Sequence, residues 1–270
     1  MLSTQEREAK LYEINPGKNR AAICFSGQLR TWRKCVKSWV NIFNYAGQMK
    51  EMDIFCHMWD FNTVPCSVQT SSQSVKVEQQ EIDELVSILK PKRFIVESER
   101  AFAPRNSNQP ISSPAFLSQF YGIMRSANLK RQYEIENNMK YDIVVRARYD
   151  AYYESNKITN MYQNLKPHSV KTWGILWDKD VGKGRINDMF WVADSDTYDL
   201  IADYYTNVSS MDKRVFITKQ NEHTFPESVF FQYIKSYNLT MDPCWDGSVK
   251  IMRESKELSS SKKEGDYEVW

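Results

Sequence analysis

The sequence predicts an α/β fold, a single Rossmann-like domain in which a mostly parallel central sheet carries helices on both faces. Two observations support this prediction. Short, continuous apolar runs alternate along the chain with stretches whose apolar residues recur at helical spacing, the order typical of parallel sheets. The chain is also long enough to bury a large core, with 270 residues of which 41% are hydrophobic.

The first strand is predicted at residues 21–25, where an apolar run ends at a Ser-Gly turn. From Trp32 to Phe43 the apolar residues then lie on one face of a helix. The next segments follow the same patterns: a strand at 53–59, a polar loop at 63–79, a helix at 82–89 and a strand at 93–97.

The second half of the chain continues this alternation. Ser113 and Pro114 predict a helix start, because serine caps helices and proline suits the first helical position. A strand at 141–147, strands at 173–177 and 189–193, a helix capped by Ser195 and a helix beginning at Pro226 are predicted to follow. We expect three regions: an N-terminal extension at 1–19, the domain at 20–254, and a flexible tail rich in Ser, Lys and Glu at 255–270.

Charge and hydropathy limit the classes of function. The 36 basic and 34 acidic residues give a net charge of +2, too balanced for a protein that binds nucleic acid through bulk charge, so no nucleic-acid partner is expected. No apolar run approaches the ~18 residues of a membrane span, and the N-terminus lacks the apolar core of a secretory signal. We therefore expect a cytoplasmic protein without a transmembrane segment, whose membrane contact is at most peripheral.

Ligands of open α/β sheets bind beyond the carboxyl ends of the strands, so the polar residues there are the candidates for a site. Ser26, Gly27, Gln28 and Arg30 follow the first strand and lead into a helix N-terminus, an arrangement that favours a phosphate. The alternative is that Gly27 only turns the chain. Trp59 ends the second strand and lies either beside a ligand or in the core.

The strand at 141–147 is followed by further charged residues. Strand alternation predicts that Arg146, Arg148 and, if the strand continues, Asp150 share one face. A carboxylate between guanidinium groups stays ionised and suits a hard divalent cation, which leaves the arginines to face a diphosphate. The alternative is an internal Arg-Asp pair that closes the end of the sheet.

Taken in order along the chain, these segments resemble a known family. The resemblance rests on Ser26-Gly27-Gln28-Leu29-Arg30-Thr31, on 53–60, on Gln119-Phe120-Tyr121, on 141–150 and on Asn187-Asp188-Met189-Phe190. In this order they resemble bacterial and viral glycosyltransferase-like proteins of the GT-A type, which are implicated in building surface glycans or modifying lipopolysaccharide. The resemblance runs from about residue 20 to residue 239.

This resemblance implies a hexosyltransferase-like enzyme of polysaccharide biosynthesis, with a nucleotide-sugar donor and a glycan or lipid-linked acceptor. The implied donor-binding residues are Ser26, Gly27, Gln28, Arg30, Trp59, Gln119, Arg146 and Arg148. The family holds Mn or Mg with an Asp-x-Asp pair, but here Arg148 stands in the first carboxylate's place. Either Asp150 holds the metal alone, or Arg146 and Arg148 neutralise the diphosphate themselves.

Transfer with inversion also requires a base for the acceptor hydroxyl. Asp188 is the first candidate, with the capping of a turn as its alternative role, and Glu227, in a predicted helix first turn, is the second. The lost carboxylate at Arg148 also favours a different class, a noncatalytic nucleotide- or carbohydrate-binding protein on the same scaffold.

Overall fold

A computed structural model describes residues 20–46, 51–65, 72–98, 102, 114–154, 165–173, 175–178, 183–186, 188–207, 226–244 and 249–252. The predicted N-terminal extension and C-terminal tail lie outside these ranges. The strands are β1 (Arg20–Gly27), β2 (Glu51–Trp59), β3 (Phe61–Pro65), β4 (Ser72–Lys76), β5 (Arg93–Glu97), β6 (Ile143–Ala147), β7 (Ala151–Tyr153), β8 (Ser169–Trp173), β9 (Ile175–Asp178), β10 (Lys183–Ile186), β11 (Trp191–Ala193), β12 (Thr240–Cys244) and β13 (Val249–Ile251). The helices are α1 (Trp32–Ala46), α2 (Gln79–Leu89), α3 (Pro114–Glu136), α4 (Ser195–Ala202), α5 (Tyr204–Asn207) and α6 (Pro226–Ser236).

Seven strands form the central sheet, in the spatial order β12-β8-β11-β6-β1-β2-β5. β1 lies in parallel between β2 and β6, and β2 also pairs in parallel with β5. β12 is parallel to β8, whereas β11 runs antiparallel between β6 and β8. The sheet is therefore mostly parallel, which confirms the predicted α/β fold class.

Helices cover both faces of this sheet, and the side chains of β1 alternate between the two cores that result. Ala21, Ile23 and Phe25 point to the core that contains the apolar faces of α1 and α2. Ala22 and Cys24 point to the opposite core, which α3, α4 and α6 complete. The apolar residues that recur at helical spacing in the sequence are therefore the ones that these helices bury against the sheet.

Several elements differ from the sequence prediction. Residues predicted as a polar loop form the hairpin of β3 and β4, whose strands pair with each other and lie outside the central sheet. The single strand predicted at 173–177 is divided between β8 and β9, which belong to different sheets. The residue that caps α4 is Asp194, whose side chain accepts from the backbone N–H of Thr197. Ser195 is instead buried, and its hydroxyl donates to Glu134.

Among the described helices, none combines the length and the apolar character that a membrane crossing requires.

Gly122 allows α3 to approach the sheet closely. A Cβ atom at this position would lie 2.9 Å from Nδ1 of His57, whose side chain is fully buried. We expect Gly122→Ala to lower the free energy of unfolding by about 1–3 kcal/mol, because the overpacked imidazole has to move. The gain in helix propensity, about 1 kcal/mol, offsets only part of this cost.

Urea unfolding measures the effect, with Gln132→Ala on the exposed side of the same helix as the control. A Gly122→Ala variant as stable as the wild type would show that the helix and imidazole separate without cost.

Candidate functional site

The candidate site lies at the carboxyl ends of β1 and β6, where the chain turns away from the sheet. Gly27 ends β1 with φ of +128°, a conformation that side chains rarely adopt, although a Cβ there would meet no atom within 4 Å. Three residues later, Arg30 has φ of +43°. Such a left-handed residue costs roughly 1–2 kcal/mol when it is not glycine. The backbone N–H of Arg30 donates to Oδ1 of Asn62, on β3, at 2.8 Å.

Asp150 is the centre of this site. Its Oδ1 accepts from Nε of Arg148 at 2.8 Å, and its Oδ2 accepts from Nη2 of Arg148 at 2.9 Å and from Nη1 of Arg30 at 3.1 Å. The side chain is only 2% exposed. Burial by itself raises the pKa of Asp150, but the two guanidinium groups outweigh it and hold that pKa at about 2. The carboxylate is therefore ionised throughout the physiological range.

Hydrogen bonds extend from this centre in both directions. Nη1 of Arg148 donates to Oε1 of Gln119 at 3.1 Å, and Nε2 of Gln119 donates to Oδ2 of Asp188 at 2.5 Å. On the other side, Nε of Arg30 donates to Oε1 of Gln28 at 2.8 Å. We call this connected set the arginine–aspartate network; its members are Gln28, Arg30, Asp150, Arg148, Gln119 and Asp188.

All six members were predicted as site residues from the sequence. Gln119 belongs to α3, and the other five members lie in three loops, so the network joins three loops to this helix. Sequence reasoning missed Asn62, which supports the backbone of Arg30 from the β3 strand. Asn62 lies between the strand predicted at 53–59 and the polar loop predicted at 63–79, where no local pattern indicated that contact.

The network reaches solvent through its arginines. The side chain of Arg30 is 25% exposed and that of Arg148 is 15% exposed, while Asp188 is partly buried. A ligand that approaches the carboxyl ends of β1 and β6 would thus meet guanidinium groups rather than the Asp150 carboxylate.

Arg146 lies apart from the exposed arginines. It is fully buried on β6, and its Nη1 donates to the main-chain carbonyls of Ser26, at 3.3 Å, and of Ala147. Its Nε and the hydroxyl of Ser26 have no hydrogen-bond partner among the described residues. Burial lowers the pKa of Arg146. β6 ends at Ala147, so the alternation that predicted one charged face does not continue to Asp150.

Two other predicted residues lie outside the network. Trp59 is 1% exposed, and its ring packs against those of His57, Phe102 and Tyr121 at centroid distances of 4.6, 5.5 and 5.6 Å. This is the core position that the sequence allowed as its alternative. Glu227 falls in the first turn of α6, as predicted, but its side chain lies outside the described residues.

A second polar cluster anchors α3 beside Trp59. Glu97 accepts from the hydroxyl of Tyr121 at 3.1 Å and from Nε of Arg125 at 2.7 Å, and it lies 3.4 Å from Nε2 of His57. Burial alone would raise the pKa of Glu97, but His57 and Arg125 bring it to about 2. Burial lowers the pKa of His57, as expected for an imidazole packed in the core.

The Mn or Mg ion that the family resemblance implies does not fit these residues. Such ions take oxygen ligands, usually including several waters, whereas the Asp150 carboxylate already accepts three guanidinium hydrogen bonds in a buried position. A divalent ion about 5 Å from one guanidinium would also be repelled by roughly 7 kcal/mol at an effective dielectric constant of about 20. In the part of the chain that the structure describes, no three His, Cys, Asp or Glu side chains form a group able to hold a metal.

No protein-family model matches the chain, and no curated protein shows significant sequence similarity to it. Among solved structures, the chain is similar to the glycosyltransferase GlyE of Streptococcus pneumoniae TIGR4, with a TM-score of 0.39 and 11% identity over 84% of this chain. It covers 45% of that protein, less than half its length. It is also similar to mouse xyloside xylosyltransferase 1 in its apo form, with a TM-score of 0.44 and 9% identity over 84% of each chain. Likenesses this weak do not establish a shared activity.

Proposed function

We propose that this protein transfers a sugar from a nucleotide-sugar donor to a glycan or lipid-linked acceptor, as in the building of surface glycans. The observation that supports this most is the arginine–aspartate network. Two partly exposed guanidinium groups, those of Arg30 and Arg148, share one carboxylate oxygen at the carboxyl ends of β1 and β6. Open α/β sheets bind their ligands at that edge, and guanidinium groups match phosphate oxygens in pairs.

The network also contains a group able to accept a proton. In a direct displacement, the acceptor oxygen forms a bond to the anomeric carbon while the bond to the donor diphosphate breaks. The electron pair leaves with the nucleoside diphosphate, where Arg30 and Arg148 stabilise the growing negative charge. The acceptor proton passes to Asp188, whose Oδ2 is oriented by Gln119.

Turnover is tested by incubating the protein with a panel of sugar nucleotides and candidate glycan acceptors and measuring the nucleoside diphosphate released. We expect release by the wild type and a decrease of about 100-fold or more in Asp188→Asn, since general bases contribute this much. Donor affinity, measured by calorimetry, should stay within about threefold, because Asp188 acts on the acceptor. Asp196→Asn, an aspartate with an 81% exposed side chain, is the matched control.

The noncatalytic alternative predicts a different outcome from the same assay. A wild-type protein that binds a nucleoside diphosphate tightly but releases none from any sugar nucleotide would favour a binding protein on this scaffold. Failure to bind any nucleoside diphosphate would contradict the transferase function and the nucleotide-binding form of the alternative, and would leave only a carbohydrate-binding protein.

A further inference from the structure

The guanidinium group of Arg148 is held in a fixed orientation by only some of its N–H donors. Its guanidinium group carries five N–H donors, of which two bind Asp150 and one binds Gln119. The two-bond contact with Asp150 sets the plane of the fork, and Gln119 restrains its other arm. Counted over the described residues, two donors remain, and they lie on a side chain that is 15% exposed, so a ligand at the site can reach them.

Arg30 is held by its backbone as well as by its side chain. Its left-handed φ of +43° is uncommon for a residue with a side chain, and strain of this kind clusters at ligand-binding sites. Asn62 fixes the backbone N–H, while Gln28 and Asp150 hold the guanidinium group. The chain therefore holds Arg30 in an unfavourable backbone conformation that places its cation beside that of Arg148.

Asp150 joins these two cations and is itself closed to solvent. Both its oxygens face guanidinium groups, and its side chain is 2% exposed. One carboxylate against two arginines leaves this trio with a net charge of +1. The other carboxylate of the network, Asp188, is hydrogen-bonded to Gln119 rather than to either guanidinium group, so the arginines still offer donors to an anion.

We infer that Asp150 is a positioning residue, which holds Arg30 and Arg148 as a pair so that they bind the donor diphosphate directly, without a divalent ion. The inference rests on the proposed function and specifies how its donor is held. The planar forks supply the paired hydrogen bonds and the positive charge that a metal ion would otherwise supply to the two phosphates.

The first experiment is calorimetry of the wild type with UDP, GDP and ADP, once in EDTA and once with Mn²⁺, together with a titration of Mn²⁺ alone. We expect at least one nucleotide to bind with affinities that agree within about twofold in the two conditions, and no saturable binding of Mn²⁺ alone. Binding that requires Mn²⁺ would overturn the inference but leave the proposed function intact. Absence of binding in both conditions would overturn the proposed function and, with it, the inference.

The second experiment separates a positioning role for Asp150 from a metal-ligand role. A metal ligand would matter only with metal present, so Asp150→Asn would bind the nucleotide like the wild type in EDTA. A positioning residue matters in both conditions, and we expect Asp150→Asn to bind about tenfold more weakly in EDTA and with Mn²⁺ alike. Equal affinity of this variant and the wild type in EDTA would overturn the inference.

Arg148→Lys keeps the positive charge and loses the fork, so the test does not depend on the folding of Asp150→Asn. We expect about tenfold weaker binding in EDTA. Arg33→Lys is the matched control, because Arg33 is a 53% exposed arginine that pairs with Glu81 and Glu84 on the surface. Unchanged binding in Arg148→Lys would overturn the inference.

Discussion

Replacing Lys130 by alanine is expected to lower the free energy of unfolding by about 3–5 kcal/mol, the usual cost of removing one partner from a buried ion pair. Lys130 lies on α3 and is fully buried. Its Nζ lies 2.8 Å from Oε2 of Glu134 and 3.0 Å from Oδ1 of Asp199. Without this cation, two carboxylates are left in the core between α3 and α4.

The charge, rather than the side-chain volume, causes this loss. Lys130→Met fills much of the same space and is therefore expected to be destabilised by a similar amount. Adding Glu134→Gln to Lys130→Met should restore part of the stability, because it removes one of the two carboxylate charges that Lys130 neutralises. Burial already raises the pKa of Asp199 in the wild type, so the stability difference between wild type and Lys130→Met should narrow as the pH falls.

Urea unfolding of these variants measures the effect. Lys37→Met is the control, because Lys37 is exposed on α1 and surface substitutions of this kind usually change the stability by less than about 0.5 kcal/mol. A Lys130→Met variant that unfolds like this control would contradict the assignment of Lys130 as a buried cation that holds α3 to α4.

Periodicity predicted the elements whose own residues carry a pattern. β5 has the predicted bounds, and α1, β2 and α2 extend the predicted ranges by a few residues. The two helices each bury one apolar face against the sheet, and β2 is buried within it. β7 and β13 were missed. They are three residues long and pair with each other, Ala151 opposite Ile251, across a sequence separation that no local pattern reveals. The cap of α4 was misplaced by one residue because Ser195 is occupied by a buried contact with α3.

The residues of the candidate site could be predicted better than the contacts between them. Position after a parallel strand was enough to select Gln28, Arg30, Arg148 and Asp150 as neighbours. Strand alternation then grouped Arg146 with Arg148, whereas the end of β6 at Ala147 leaves Arg146 in the core and releases Arg148 toward Gln119. Where a strand ends depends on its neighbours in the sheet, which the sequence does not show. The roles of these residues in donor binding and catalysis remain predictions.

Asp150→Asn is expected to lower the free energy of unfolding at neutral pH by about 3 kcal/mol, because two guanidinium groups lose a buried counter-charge. The effect should depend on pH in a defined direction. The pKa of Asp150 is lowered from its usual 3.8 to about 2 in the folded protein. This difference corresponds to about 2 kcal/mol of stability, present above pH 4 and lost as the pH falls through about 2.

Urea unfolding of wild type and Asp150→Asn between pH 2 and pH 7 tests this sign. Glu97, whose pKa is also lowered to about 2, contributes the same trend to both proteins, so it cancels in their difference. The stability difference should be constant above about pH 4 and shrink by about 2 kcal/mol toward pH 2. Asp83→Asn, at an exposed position on α2, should follow the wild type throughout. A difference that stays constant down to pH 2 would mean that Asp150 does not hold the two arginines through its charge, since protonation would then cost the fold nothing.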